Sequence, residues 1–256
     1  MNTIKYILLT FFVLPLLFIV ATTLSAGAGD PPVHWEYEGE LGPDHWDKLI
    51  LEKWHCKIGD MQSPIGISVT EKTKLDDVVF RYYPTPLKII NNGHTIQVNY
   101  RNGSFISIGN KKYEFLQFHF HSPSEHKING KSYDMEVHFV HKGEDGKLAV
   151  VAVLLEEGKG NDFIKTLWNN LPKEEGKERS VTDVKINANE LLPKNTAYYN
   201  YFGSLTVPPC NEIVNWFVLK TPIEVSKTQI DKFTSIFKKS TRPIQSLHGR
   251  VVKESN

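Results

Sequence analysis

Beyond residue 30 the chain is a succession of short runs in which apolar and polar side chains alternate. They cover 78–83, 87–90, 95–100, 105–108, 112–121, 132–141, 148–155 and 213–220, and Gly, Asn, Asp or Pro separates most of them. Period-2 alternation with turn residues between the runs is the mark of half-buried strands joined by short connections. Helical spacing is rarer. It is clearest over 162–171, which Pro172 stops, and over 227–238, where Ile230, Phe233 and Phe237 recur three and four residues apart. The aromatic-rich stretch 34–54 reads as irregular chain packed on the domain, with a short helix near 44–52. The pattern predicts a mainly β (α+β) fold: a single domain on a large, twisted, mostly antiparallel central sheet with short peripheral helices.

The first thirty residues differ from the rest. Lys5 is their only charge before Asp30, an apolar run fills 7–20, and Ala26-Gly27-Ala28 follows. A positive start, an apolar stretch of this length and an A-x-A site describe a secretory signal peptide over 1–28, with cleavage after Ala28. The run is shorter than the roughly 18 to 20 apolar residues of a spanning helix, and Pro15 interrupts it, so no stable membrane insertion is expected once the signal is removed. The remainder, 29–256, is expected to form one domain, secreted or periplasmic, with no linker visible within 31–256.

Charge narrows the choice of partner. Lys and Arg number 30 against 29 Asp and Glu, a net charge of +1, so no global field favours nucleic acid, and a small-molecule substrate is the better expectation. The chain has two cysteines, Cys56 and Cys210. Export would place both where a disulfide can form, and the alternative is two buried thiols. If joined, they close a loop of roughly 154 residues, for which chain entropy gives about 5 kcal/mol at most.

Candidate chemistry lies among the ten histidines. In Gln117-Phe118-His119-Phe120-His121, residues 117, 119 and 121 share one face of a strand, while Leu116, Phe118 and Phe120 would pack behind it. In Glu136-Val137-His138-Phe139-Val140 the face is Glu136, His138 and Val140. If the two strands are neighbours, about 4.8 Å apart, three imidazoles meet. Three histidines with an open fourth position are the donor set of a catalytic zinc site, whereas H-x-H alone is more often a pair of surface histidines. Gln117 and Glu136 sit on the faces from which they could accept the second N–H of a ligating ring.

At this point the chain resembles the alpha carbonic anhydrases. The blocks that carry the resemblance run in order from Gly42-Pro43-Asp44-His45-Trp46 through Gln62-Ser63-Pro64-Ile65 and Asn91-Asn92-Gly93-His94. They continue through the 118–121 segment with Ser124-Glu125-His126, Glu136-Val137-His138, Gly203-Ser204-Leu205-Thr206-Val207-Pro208-Pro209 and Arg242-Pro243. The resemblance implies reversible hydration of carbon dioxide to bicarbonate by a zinc-bound hydroxide. His119, His121 and His138 would be the ligands of Zn2+, with Gln117 and Glu136 supporting them. Glu125 and Thr206 would form a gate beside the fourth position, and His94 would be the proton shuttle. Val140, Val150, Leu205, Val207 and Trp216 would line the substrate pocket, where Val207 departs from the Thr common in relatives. Tyr37 would help hold pocket water, and His34, His45, His55, His126, His141 and His248 would be structural or surface residues. Cys56 and Cys210 match the positions of the single disulfide in secreted bacterial members. Sulfonamides and anions are the expected inhibitors, and a homodimer is left open. A non-catalytic binding protein of the same fold is disfavoured because all three histidines are retained, and a zinc peptidase because no H-E-x-x-H occurs.

Overall fold

The computed structural model describes residues 34–49 and 55–255. The expected signal peptide, 1–28, and residues 50–52 of the expected 44–52 helix lie outside the described residues. Inside them the chain forms β1 (Gly66–Ile67), β2 (Glu71–Lys72), β3 (Val78–Arg81), β4 (Thr85–Asn91), β5 (Ile96–Asn99), β6 (Phe105–Ile108), β7 (Lys111–His121) and β8 (Lys127–Ile128). These are followed by β9 (Met135–Gly143), β10 (Leu148–Glu157), helix α1 (Asp162–Asn169), β11 (Arg179–Ile186), β12 (Tyr198–Gly203), β13 (Val214–Leu219), β14 (Ile223–Val225), helix α2 (Lys227–Thr234) and β15 (Lys253–Glu254). The 44–52 region contains a 3-10 turn over Pro43–Lys48.

A 13-stranded sheet dominates, its main path running β11-β4-β5-β7-β9-β10-β13-β12-β15-β2. Most pairings are antiparallel, as the alternation predicted. The parallel exceptions in this sheet are β10, which pairs with β13 and, further along, with β14, and the β15–β2 pair at one edge. Parallel neighbours need a long crossover, and the chain between β10 and β13 supplies it with α1, β11 and β12.

The sheet separates two apolar cores, and strand periodicity assigns residues to them. In β10, Ala149, Val151, Val153 and Leu155 enter the larger core, while Val150 and Ala152 enter the smaller one. Buried on both faces, β10 reads as a continuous apolar run. Helix α1 closes the larger core with Phe163, Ile164, Leu167 and Trp168, and α2 adds Phe233. Asn161 caps α1 by accepting from the Ile164 amide, and Ser226 and Gln229 form a capping box on α2. Helix α2 ends at Thr234 rather than 238, and beyond it the Ile236 amide bonds the Phe233 carbonyl three residues back, the tighter turn of a closing helix end.

One expectation for the first histidine strand is corrected. Phe118 and Phe120 are fully buried behind the histidines, but Leu116 is 37% exposed. The pairing of β7 with β9 shifts between Phe115 and Gln117, so Leu116 is the extra residue of a bulge and Phe115 takes its place in the core.

Candidate active site

Register brings the histidines together. β7 and β9 are adjacent and antiparallel, with His119 opposite His138, His121 opposite Glu136, and Gln117 opposite Val140. The Leu116 bulge lies just before this segment, so His119 and His121 keep strict alternation and project from one face with His138. The rings pack at centroid distances of 5.0 Å (119–121), 5.3 Å (119–138) and 4.5 Å (121–138).

Each ring has one nitrogen engaged. Nδ1 of His119 is 2.9 Å from Gln117 Oε1, Nδ1 of His121 is 2.5 Å from the Ser240 carbonyl, and Nε2 of His138 is 2.8 Å from Glu136 Oε1. With those nitrogens donating, the remaining ones, His119 Nε2, His121 Nε2 and His138 Nδ1, carry the lone pairs. One nitrogen from each ring lies within 4.8 Å of the other two. His121 Nε2 is buried and has no hydrogen-bond partner in the protein. Burial, followed by repulsion from His121 and His138, holds His119 well below the ordinary histidine range, and burial also lowers His121. These two rings are therefore neutral near pH 7, the form that binds a metal. The residues present fit a zinc ion.

Burial alone would raise the Glu136 carboxyl, but the facing His126 and His138 rings and their hydrogen bonds hold it well below the usual carboxylate range. Glu136 is ionised and accepts from His138, from the His126 ring at 2.6 Å and from the His126 amide at 2.8 Å. His126 continues to the Tyr201 hydroxyl at 2.7 Å, and Tyr201 to Ser63 Oγ at 3.0 Å. This chain fixes the His138 ring from behind.

Glu125 is buried beside the histidines, with Oε2 at 3.7 Å from His121 Nε2 and 3.9 Å from His138 Nδ1. Its Oε1 accepts from the Arg242 amide at 2.9 Å, and Oε2 has no partner. Thr206 is buried in the loop that follows β12. Among the described residues no hydrogen bond joins its side chain to Glu125, so the structure does not close the expected gate.

The pocket residues divide. Val140, Val150 and Trp216 stand opposite one another across β9, β10 and β13, on the histidine face, and Leu205 packs against the same smaller core. Val207 is half-buried, and its packed side meets Tyr37, Trp46 and the cysteines. Cys56 and Cys210 are joined in a disulfide with Cα atoms 4.9 Å apart, and no free cysteine remains.

His94 follows a turn in which Asn92 Oδ1 accepts from the His94 and Thr95 amides, and its ring stacks on Trp35 at 3.7 Å. Among the six histidines read as structural or surface residues, His126 and His141 are buried, and His34, His55 and His248 are exposed. Three participants were not expected: the Ser240 carbonyl, the Arg242 amide and the Trp35 ring. The first two act through the backbone, which leaves no trace in residue type.

Residues 41–256 match the family model described as eukaryotic-type carbonic anhydrase. The chain belongs to the alpha carbonic anhydrase family. It is 41% identical over 246 residues to a carbonic anhydrase of Nostoc sp., covering 93% of each chain. A hyperthermostable carbonic anhydrase from a hydrothermal vent chimney is 48% identical with a TM-score of 0.84, over 87% of this chain and all of the other. The Thermovibrio ammonificans alpha carbonic anhydrase, solved with the inhibitor sulfanilamide, is 40% identical with a TM-score of 0.83 and the same coverage. The protein is thus an enzyme of the carbonic anhydrase class, and the family's reaction is carbon dioxide hydration.

Proposed function

We propose that this carbonic anhydrase hydrates carbon dioxide reversibly at a zinc ion held by His119, His121 and His138. The observation that carries this reading is the convergence of three imidazole nitrogens within 4.8 Å, one of them buried and unpartnered, each on a ring whose other nitrogen is engaged. When bound, zinc supplies Lewis-acid activation of a water near neutral pH, an effect for which carbonic anhydrase is the reference case.

The protein's own groups do the rest. Gln117, the Ser240 carbonyl and Glu136 fix the tautomers and aim the three lone pairs. Glu125, an acceptor with one free oxygen, would accept a hydrogen bond from the Thr206 hydroxyl once the gate closes, and the Thr oxygen would then accept from the attacking group and orient it. Val140, Val150, Leu205 and Trp216 offer apolar surface to a substrate with no charge and little hydrogen bonding. Val207 in place of a hydroxyl residue leaves bicarbonate with one contact fewer. His94 accepts the proton released in each hydration and passes it to solvent, a task suited to imidazole. Residues 1–28 direct export, and the disulfide stabilises the exported domain.

Rapid-mixing assays of carbon dioxide hydration with increasing sulfanilamide test the proposal. Hydration should be fast and abolished at saturation, because the deprotonated sulfonamide nitrogen is an anionic ligand for the open metal position. A zinc-loaded protein without hydration activity, or with activity indifferent to sulfanilamide, would overturn it.

A further inference from the structure

His94 forms part of the wall of an open cleft of about 440 Å3 that five Glu and Lys side chains also line. Glu36 and Glu38 enter from the N-terminal segment, Glu175 from the loop after α1, and Lys238 and Lys239 from the segment after α2. Asn91 closes β4, and Gly93 and His94 come from the connection between β4 and β5. The turn holding His94 is built closely against the Glu175 loop. Gly176 donates its amide to the Asn91 carbonyl at 2.7 Å, and a Cβ placed on Gly93 would lie 2.8 Å from Glu175 Oε1. On the other side Trp35 stacks on the His94 ring, and the next residue, Glu36, pairs with His34 at 2.9 Å. The His34 ring itself is 6.4 Å from that of His94. His94 Nδ1 is buried and finds no partner in the protein.

We propose that Glu36 and Glu175 are positioning residues for proton release: from the walls of the cleft beside His94 they stabilise its protonated form. The proposal rests on the shuttle role given to His94 above. Its physical basis is a conflict at that ring. Burial disfavours the imidazolium and pulls His94 below the ordinary histidine range, His34 acts in the same direction, and Glu36 and Glu175 oppose them. Lys238 and Lys239 add positive charge to the cleft, and Glu38 adds negative charge. Without the two carboxylates His94 would hold a proton too weakly to collect it efficiently near pH 7, since a shuttle works best when its own titration lies close to the operating pH. The step is a proton transfer only: the imidazolium N–H bond breaks and the buffer base gains the proton.

The test uses the zinc-loaded enzyme and the variants Glu36→Gln, Glu175→Gln and both together, each with His94 and with His94→Ala. NMR should show the His94 titration midpoint falling by about half a pH unit per substitution, a screened value for partly exposed charges. In weak buffer at pH 7, kcat should fall about two- to threefold per substitution, and kcat/KM should hold. With His94→Ala, the glutamate substitutions should have no further effect on kcat. An unmoved midpoint, or a loss of kcat that persists without His94, would overturn the proposal. If His94→Ala alone leaves kcat unchanged, the shuttle reading fails instead, and the NMR midpoint still decides whether the carboxylates act on His94.

Discussion

Lowering the pH should destabilise the fold through His141. This ring is fully buried in the larger core side of the sheet, with Nδ1 3.1 Å from the Ala149 carbonyl and Nε2 2.8 Å from the Tyr82 hydroxyl. Nδ1 donates and Nε2 accepts from the phenol, which burial keeps protonated by raising it well above 10. The ring is neutral, and burial lowers it to about 3. The sign follows from linkage. Unfolded, the same side chain titrates near 6.5, so below that pH the unfolded chain takes up a proton that the native state refuses, and stability falls with pH until about 3. At about 1.4 kcal/mol per pH unit, His141 alone costs about 2 kcal/mol between pH 6.5 and 5, a sizeable part of a typical 5 to 15 kcal/mol. Urea unfolding at pH 7 and pH 5, with metal saturation held equal, measures this. In a Tyr82→Phe, His141→Leu variant, which removes the donor together with its acceptor, the loss between the two pH values should shrink by about 2 kcal/mol, whatever the variant's stability at pH 7. An identical loss in both proteins would mean that His141 does not stay neutral in the folded protein at pH 5.

The native protein should contain no titratable thiol, and reduction should destabilise it by up to about 5 kcal/mol, the chain-entropy value for a loop of 154 residues; two thiols in the unreduced protein, or an unchanged melting temperature on reduction, would contradict this. Val207→Thr should lower KM for bicarbonate about two- to tenfold, the worth of one hydrogen bond, and tighten inhibition by small anions. An unchanged KM in bicarbonate dehydration kinetics would mean that residue 207, which packs toward the disulfide cluster, does not reach the substrate.

The part of the site that could be read from sequence is the part set by strand periodicity. His119, His121 and His138 alternate with core residues, and two neighbouring strands suffice to bring them together. The Leu116 bulge escaped, because a one-residue insertion in pairing is decided by the partner strand and not by the residue inserted. The edge strand β11 is mostly exposed and spaces Val181, Val184 and Ile186 unevenly, so no apolar alternation betrays it, and β12 was missed although Tyr198 and Tyr201 are buried. Ser240 could not be found either, since it serves His121 through a carbonyl that every residue has. The Glu36 and Glu175 neighbourhood of His94 joins segments about 140 residues apart, a proximity that only the fold creates.

The central claim is that three histidines hold one catalytic zinc. It is tested most directly by measuring metal content and carbon dioxide hydration together in the unaltered protein and in His138→Ala. The first should carry about one zinc per chain and hydrate rapidly, and the second should show a metal affinity and a rate both reduced by several orders of magnitude, because two imidazoles hold zinc poorly. Full hydration activity in the metal-free protein, or undiminished zinc and activity in His138→Ala, would contradict it.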